Sequence, residues 1–207
     1  KSTTHRLLRA LADEELVSLG PGGVARLGGG LARLGAASRE ALSDRVRPVL
    51  AELRRELDET VDLSVLDGAS ARFIDQITAP RRLRATSAVG ESFPLHCTAN
   101  GKALLAAMPE ESARALLPKR LERFTAQTIV SREELIAALA RVRQEGVAFD
   151  REEHTEGICA VGATVLGPSG ALAAISVPVP SQRFAGREDE LARMVVGAAD
   201  RASKLLR

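Results

Sequence analysis

The sequence predicts an α+β fold, in which an antiparallel sheet packs against helices that precede, separate and follow its strands. Apolar stretches that suit strands come in pairs joined by turn residues, as in hairpins. The clearest pair, 158–166 and 171–177, flanks a Gly-Pro-Ser-Gly turn at 167–170. Around these pairs, apolar residues recur at helical spacing, as in the terminal stretch that contains Leu191 and Val195.

Length and composition narrow the class of protein. The 207 residues, 45% of them hydrophobic, suffice for one large core and a small appendage. Five Phe with no Tyr and no Trp argue against the aromatic platforms that bind single-stranded nucleic acid. Since no apolar run approaches the ~20 residues that span a bilayer and no signal segment opens the chain, we expect a cytoplasmic protein. Cys97 and Cys159 are expected to be reduced thiols.

The start of the chain predicts a helix, a small hairpin and a connecting helix. Residues 2–12 place Leu7, Leu8 and Leu11 on one side of a short amphipathic helix. The segments 16–19 and 24–27 then flank a Gly-Pro-Gly-Gly turn, which predicts a hairpin with Arg26 near its tip. A connecting helix follows over 28–41.

A sharper helical stripe begins at Ser43 and contains Pro48 in its interior. We expect the second domain to begin there. The segments 60–66 and 71–77 are joined by Asp-Gly and predict another hairpin, and 147–150 predicts a short strand. Three helices are predicted between the strands, over 99–107 after a Thr98 cap, over about 109–117, and from the Ser131 capping box to Gly146.

The charge distribution singles out the first helix. Lys1, Arg6 and Arg9 give the first nine residues a charge of +3, whereas the whole chain carries +2, so residues 10–207 carry −1. If the chain binds a polyanion, the start of the chain is therefore a better site for it than the body. This helix could enter the major groove of DNA while Arg26 contacts a phosphate, or it could be a solvated basic helix end. The candidate DNA-binding residues are Lys1, Ser2, Thr3, Thr4, His5, Arg6 and Arg26.

The start of the helix at Ala99 is a candidate anion site. Backbone N–H groups of Ala99, Asn100 and Gly101 would be free there and would suit a carboxylate, although an ordinary helix start is the alternative. Asn-Gly-Lys-Ala at 100–103 is not a nucleotide-binding P-loop. That motif needs Gly at position 96, where this chain has His, and Ser or Thr after the Lys.

The sequence gives little support for a metal site or a catalytic centre. The stretch that contains Asp150, Glu152, Glu153, His154 and Cys159 has a spacing that fits no common metal site, and we expect no metal. A nucleophilic pair of Cys97 with His154 is an alternative, although free cysteines are more often small core residues.

Two stretches of the chain resemble the IclR family of bacterial transcription regulators. Residues 1–8, Lys-Ser-Thr-Thr-His-Arg-Leu-Leu, with Leu-Val at 16–17, are similar to its recognition helix and wing. Residues 94–106, with Leu-His-x4-Gly-Lys-Ala-Leu-Leu-Ala, are similar to its effector domain, and further similarity lies at 88–90, 149–153, 157, 173–177 and 183.

The resemblance implies three parts and a homo-oligomer. Residues 1–28 would be the recognition helix and wing of a winged helix-turn-helix that lacks its first helices. Residues 29–42 would be a linker helix, and 43–207 a GAF-like effector-binding domain, an antiparallel sheet with flanking helices. Members of the family are usually dimers or dimers of dimers, and their double-stranded DNA operators would be the second partner.

The resemblance also implies a pocket beside the sheet for a small organic acid or aromatic metabolite, without catalysis or cofactor. Pro178 and Ala160 depart from the small polar residue and the Cys found in other members, and Thr164 stands where Pro is common. The few aromatic residues predict aliphatic walls instead, formed by Leu95, Val161 and Ile175. A sensor module without DNA contact, or an enzyme with a Cys/His or metal centre, are the alternatives. The implied effector-binding residues are Ala99, Asn100, Asp150, Cys159, Ala160 and Ser176.

Overall fold

A computed structural model of the chain describes residues 2–85, 87–168 and 170–207. It divides the chain into two compact units, residues 1–44 and 45–207. The first unit contains α1 (Ser2–Asp13) and an antiparallel hairpin of β1 (Val17–Leu19) and β2 (Ala25–Leu27), joined by a 3₁₀ turn. The helix and hairpin predicted for the start of the chain are confirmed.

The linker helix is longer than the sequence predicted. It does not end near residue 42, because α2 runs without interruption from Gly30 to Leu57 and includes Pro48. An interior proline removes one helical hydrogen bond and costs ~3 kcal/mol. Burial of Val46, Leu50 and Leu53, all with 0% exposure, offsets that cost.

The second unit is built on an antiparallel sheet. Its strands are β3 (Val61–Asp67), β4 (Ser70–Ile77), β5 (Ser92–Pro94), β6 (Ala148–Arg151), β7 (Ile158–Gly167) and β8 (Gly170–Pro180). In the part of the chain that the structure describes, their order in the sheet is β5-β4-β3-β8-β7-β6. The predicted hairpins β3–β4 and β7–β8 are confirmed, although Ser169 of the second turn lies outside the described residues. The short strand β5 was not predicted, because a three-residue strand has too little alternation to be recognised.

The caps predicted for the helices of this unit are confirmed. Thr98 accepts a hydrogen bond from the Gly101 N–H, and Ser131 accepts one from the Glu134 N–H. Gly146 ends its helix in the left-handed region at φ 73°. The helices are α3 (Ala99–Ala106), α4 (Glu110–Leu116), α5 (Arg132–Glu145), α6 (Ser181–Phe184) and α7 (Glu188–Leu205).

Helix α3 is central to the core of this unit. All eight of its residues are buried, because the helix contacts the sheet and also α4 and α5. Leu104 and Leu105 belong to a cluster with Leu135 and Leu139 of α5. Helix α7 packs along β7 and β8.

Two glycines allow α3 to approach its surroundings so closely. A Cβ atom on Gly162 of β7 would lie 2.8 Å from the Ala99 carbonyl carbon and 3.0 Å from the Asn100 nitrogen. A Cβ atom on Gly101 would lie 2.5 Å from the Leu95 carbonyl oxygen. These neighbours are backbone atoms, which cannot move aside as a flexible side chain can. The N-terminus of α3 therefore lies directly on the sheet.

Replacing Gly162→Ala should destabilise the protein by roughly 1–3 kcal/mol, because the added methyl group overpacks the contact between β7 and α3. Gly197→Ala is the matched control. That glycine lies inside α7 with only the far end of Arg201 within 4 Å, so alanine should be neutral or stabilising by about 0.5–1 kcal/mol. Urea unfolding measures both. Equal stability of the two variants would contradict the close contact.

Candidate functional site

Two rows of side chains cross the sheet beneath the N-terminus of α3. Residues that are paired in register project from the same face of a sheet. The rows therefore share one face, the face that carries Gly162 and so meets α3. The first row is Gly162 on β7, Ser176 on β8 and Asp62 on β3, and the second is Asp150 on β6, Ala160 on β7 and Pro178 on β8.

A cavity of about 320 Å³ lies between these rows and the start of α3. Its volume is near the lower end of the range for small-molecule sites. Both acidic residues of the rows, Asp62 and Asp150, line it although each is 95% or more buried. The lining residues are Asp62, Phe73, Arg84, Ala85, Ser87, Phe93, Thr98, Ala99, Asn100, Asp150, His154, Thr155, Ile158, Ala160, Ser176 and Pro178.

The structure brings most of the predicted effector-binding residues to this one cavity. Ala99, Asn100, Asp150, Ala160 and Ser176 all line it. Cys159 is the exception among the predicted residues that the structure describes. It stands one position before Ala160 on β7, and successive side chains of a strand point to opposite faces.

The predicted anion site at α3 is smaller than expected. The Gly101 N–H is not free, because it donates to the Thr98 hydroxyl at 3.2 Å. The Asn100 amide is buried and donates to the Ser64 hydroxyl at 2.9 Å, so Asn100 faces the cavity mainly through its backbone. What is left for an anion is the pair of backbone N–H groups of Ala99 and Asn100.

Lys102 takes no part in this anion site. Its side chain is buried and ion-paired with Glu153 in the loop that follows β6. The same loop is held by the Thr125 and Thr128 hydroxyls, which donate to the carbonyl oxygens of Glu152 and Glu153, each at 2.6 Å. The buried lysine thus anchors the loop that carries His154 to the cavity.

The wall of the cavity is aromatic, which corrects the prediction of aliphatic walls. The rings of Phe73 and Phe93 meet edge to face at 5.0 Å, and His154 stacks on Phe93 at 4.5 Å. Val161 and Ile175, predicted as walls, are core residues because each lies next in sequence to a residue that faces the cavity. The third predicted wall residue, Leu95, belongs to the α3–α5 cluster.

Burial changes the acid–base properties of the cavity. Desolvation raises the pKa of Asp62 to about 6, against the opposing effect of hydrogen bonds from Gln76 and Ser87. Desolvation also raises the pKa of Asp150 to about 7, although the Glu153 backbone N–H donates to it at 2.7 Å. The pKa of His154 is lowered by burial and by His96. Sequence reasoning missed Asp62, because an acid that alternates with apolar residues on a strand indicates a solvated face.

The two cysteines are unsuited to nucleophilic chemistry. Burial and the nearby Asp150 and Glu153 raise the pKa of Cys97 to about 12, and burial raises that of Cys159 to about 11. A thiol reacts as its thiolate, and such pKa values disfavour the thiolate at neutral pH. Among the described residues, no group of three His, Cys, Asp or Glu side chains could hold a metal ion.

The predicted DNA-binding residues of the first unit are exposed where the structure describes them. Thr3, Thr4, His5 and Arg6 are exposed on α1, and Arg26 is exposed on β2. Lys1 and the side chain of Ser2 lie outside the described residues. Exposed basic and hydroxyl side chains on one helix and an adjacent hairpin are typical of a helix-turn-helix surface.

The sheet, the buried helix and the cavity define a small-molecule-binding domain, preceded by a helix and hairpin of the winged-helix type. A family model described as "Bacterial transcriptional regulator IclR C-terminal" matches residues 34–204. The chain is 58% identical over 193 residues to the HTH-type transcriptional regulator Rv1719 of Mycobacterium tuberculosis, an alignment that covers 93% of this chain and 74% of that relative. The chain belongs to the IclR family of bacterial transcriptional regulators.

Solved structures share the fold. The IclR of Thermotoga maritima superimposes with a TM-score of 0.77 at 25% identity, over 99% of this chain and 85% of that one. An IclR homologue of Microbacterium hydrocarbonoxydans, complexed with 4-hydroxybenzoate, gives a TM-score of 0.76 at 22% identity, over 100% of this chain and 85% of that one. None of the described helices is long and apolar enough to cross a membrane.

The two buried carboxyl groups should make stability depend on pH. Their pKa values are raised above the ~3.9 of an unfolded chain, so the folded state holds protons that the unfolded state releases. The free energy of unfolding therefore falls as the pH rises from about 4 to about 7, and the loss is complete above that range. In the double variant Asp62→Asn, Asp150→Asn this fall should be smaller by at least ~2 kcal/mol, since one pKa unit corresponds to ~1.4 kcal/mol.

Chemical denaturation at a series of pH values measures this difference. Asp67→Asn is the control, because Asp67 lies on the same strand as Asp62 but is exposed and ion-paired with Arg72. A double variant that follows the wild-type pH profile would show that the two carboxyls are ionised normally.

Proposed function

We propose that this chain is a ligand-responsive transcription regulator that acts without catalysis. The second unit would bind a small organic acid or aromatic metabolite, and the first would supply the recognition helix and wing for an operator. The observation that carries the proposal is the cavity closed by the N-terminus of α3 over Asp150 and Ser176. We further propose a cytoplasmic homodimer or dimer of dimers. Its parts would be the recognition helix and wing over 1–28, a linker over 29–42 that lies in the first half of α2, and the effector-binding domain over 43–207.

The polar groups of the cavity suit an acid. The backbone N–H groups of Ala99 and Asn100 are at the positive end of the α3 dipole, which favours a carboxylate. Asp150, with a pKa of about 7, holds a proton in much of the population at neutral pH and can then donate it to a ligand oxygen. The neighbour crystallised with 4-hydroxybenzoate supports the same class of ligand.

A network of charged side chains around the buried Glu59 joins the rim of the cavity to the end of α2. Glu59, with 0% exposure, accepts a bidentate pair of hydrogen bonds from Arg183 at 2.7 and 2.8 Å. Arg183 also donates to the Leu83 carbonyl at 3.2 Å, next to Arg84 on the cavity wall. Arg81 pairs with Asp58, one residue after α2 ends. A ligand that displaces residues 81–85 would therefore act directly on the end of α2.

DNA binding by the first unit should depend steeply on salt. Protein that contains the complete DNA-binding domain should bind the DNA upstream of its own gene, and salt should weaken it through counterion release. Arg6→Ala and Arg26→Ala should each make the negative slope of log K against log salt shallower by about one. Arg193→Ala, an exposed arginine of α7, is the control and should leave the slope unchanged. Binding that is absent, or insensitive to salt, would contradict the proposal.

Glu59→Gln should separate ligand binding from the response. The cavity residues remain, so an aromatic acid such as 4-hydroxybenzoate should still raise the melting temperature. The change in DNA affinity caused by the ligand, typically 5–150-fold in such systems, should shrink toward one, because the paired arginines lose their carboxylate. Fluorescence anisotropy with and without ligand measures it.

The control for this experiment is Glu52→Gln, which removes a solvent-exposed pair with Arg201. That variant should respond like the wild type, since surface ion pairs contribute little. A full ligand response in Glu59→Gln would exclude the proposed route through Glu59.

A further inference from the structure

Asp62 is a buried acid that the predicted effector site does not explain. Its exposure is 1%, and it lies on β3 between Gln76 of β4 and Ser176 of β8 in register. Two strand spacings, about 10 Å, separate it from Gly162, where α3 meets the sheet. Asp62 thus marks a second polar position in the cavity, at a distance from the two N–H groups of α3.

The carboxyl group of Asp62 can accept more hydrogen bonds than the two that it makes. Oδ1 accepts from the Gln76 amide at 2.7 Å, and Oδ2 accepts from the Ser87 hydroxyl at 3.1 Å. Both of these donors are neutral, whereas an ionised carboxylate can accept about four hydrogen bonds. A buried carboxyl that is paired with neutral donors costs free energy, and such groups are concentrated at functional sites. The cavity supplies the space in which a ligand can offer a further donor.

The side chains between the two polar positions fit a flat ring. Phe73, Phe93 and His154 form a continuous aromatic wall, which favours stacked or edge-to-face contact with an aromatic ligand. The cavity's volume of about 320 Å³ suits one small molecule. Arg84 also lines the cavity, and together with the N-terminus of α3 it makes the potential less favourable for a cation.

We propose that Asp62 is a specificity-determining residue, which accepts a hydrogen bond from a hydroxyl group on the ring of an aromatic acid. The carboxylate of that ligand would lie at the N–H groups of Ala99 and Asn100, with its ring along the aromatic wall. This inference rests on the proposed function, because it names the ligand class of the same cavity. A ring without the hydroxyl would leave the buried Asp62 carboxyl without this further hydrogen-bond donor. Sites that hydrogen-bond a ligand hydroxyl bind analogues that lack the hydroxyl much more weakly.

The test compares matched ligands by calorimetry and thermal shift. The probes are 3- and 4-hydroxybenzoate, their methyl ethers, benzoate, and 4-(aminomethyl)benzoate, which carries an ammonium group in place of the hydroxyl. The wild-type protein should bind at least one hydroxybenzoate ten or more times more tightly than its methyl ether and than benzoate. In Asp62→Asn this preference should fall below about threefold while benzoate affinity is retained, and in Asp67→Asn it should be unchanged.

Each other outcome overturns the inference in a distinguishable way. If benzoate or a methyl ether binds as tightly as the hydroxybenzoates, Asp62 does not select a hydroxyl, yet the proposed function stands. Tighter binding of 4-(aminomethyl)benzoate would show that Asp62 binds a cation. If no benzoate derivative binds, the inference fails, and a parallel series of aliphatic acids then tests the proposed function separately. The wild-type series requires no variant, so the absence of a hydroxyl preference overturns the inference even if Asp62→Asn does not fold.

Discussion

The contact between the first turn of α3 and the backbone of β7 at Gly162 is the constraint on which the ligand-binding unit depends. A side chain at residue 162 would hold the helix away from the sheet, since the Ala99 and Asn100 backbone atoms already lie within 3.0 Å of where its Cβ would be. The contact directs the N–H groups of α3 toward the cavity. Asp150 and Ser176 lie buried in the same cavity, so the anion site of the helix stands beside a carboxyl group of altered acidity.

Ion pairs with at least one buried partner hold the surroundings of this contact in place. Lys102 and Glu153 join α3 to the loop that carries His154, while Glu59 and Arg183 join the end of α2 to the segment beside the cavity. A buried pair is a weak source of net stability, but the loss of one partner is costly. Pairs of this kind therefore fix positions more than they stabilise the fold. In a regulator, a bound ligand can act on the segments that such pairs hold in place beside the cavity.

Local signals made much of the fold predictable. Thr98, Ser131 and Gly146 cap their helices through bonds within three or four residues, and the hairpins follow from short turns, so their sequences suffice. The continuity of α2 was not predicted, because the apolar stripe that begins at Ser43 differs from the Ala- and Gly-rich stretch before it, and that change indicated a boundary. The sequence alone could not show that Ala160 faces the cavity and that Cys159 does not. The two residues are adjacent on β7, and only the pairing of β7 with its partner strands shows which of them points to that face.

Most of the effector-binding residues implied by the family resemblance meet at one cavity, whereas the aromatic wall and Asp62 were missed. Phe73, Phe93 and His154 come from β4, β5 and the loop after β6, and only the tertiary fold brings them together. Asp62 alternates with Val61 and Leu63, a pattern typical of a solvated face. That face is buried here, because Asn100 of α3 binds Ser64 and Ser87 binds Asp62 itself.

We propose that ligands bind between α3 and the two rows of side chains on the sheet. A crystal structure of the protein grown with a bound aromatic acid is the most direct test. We expect electron density for the ligand within hydrogen-bond distance of the Ala99 and Asn100 N–H groups, beside Phe93. Density in the separate, more apolar cavity of about 540 Å³ that Met108, Val142 and Val196 line would contradict it.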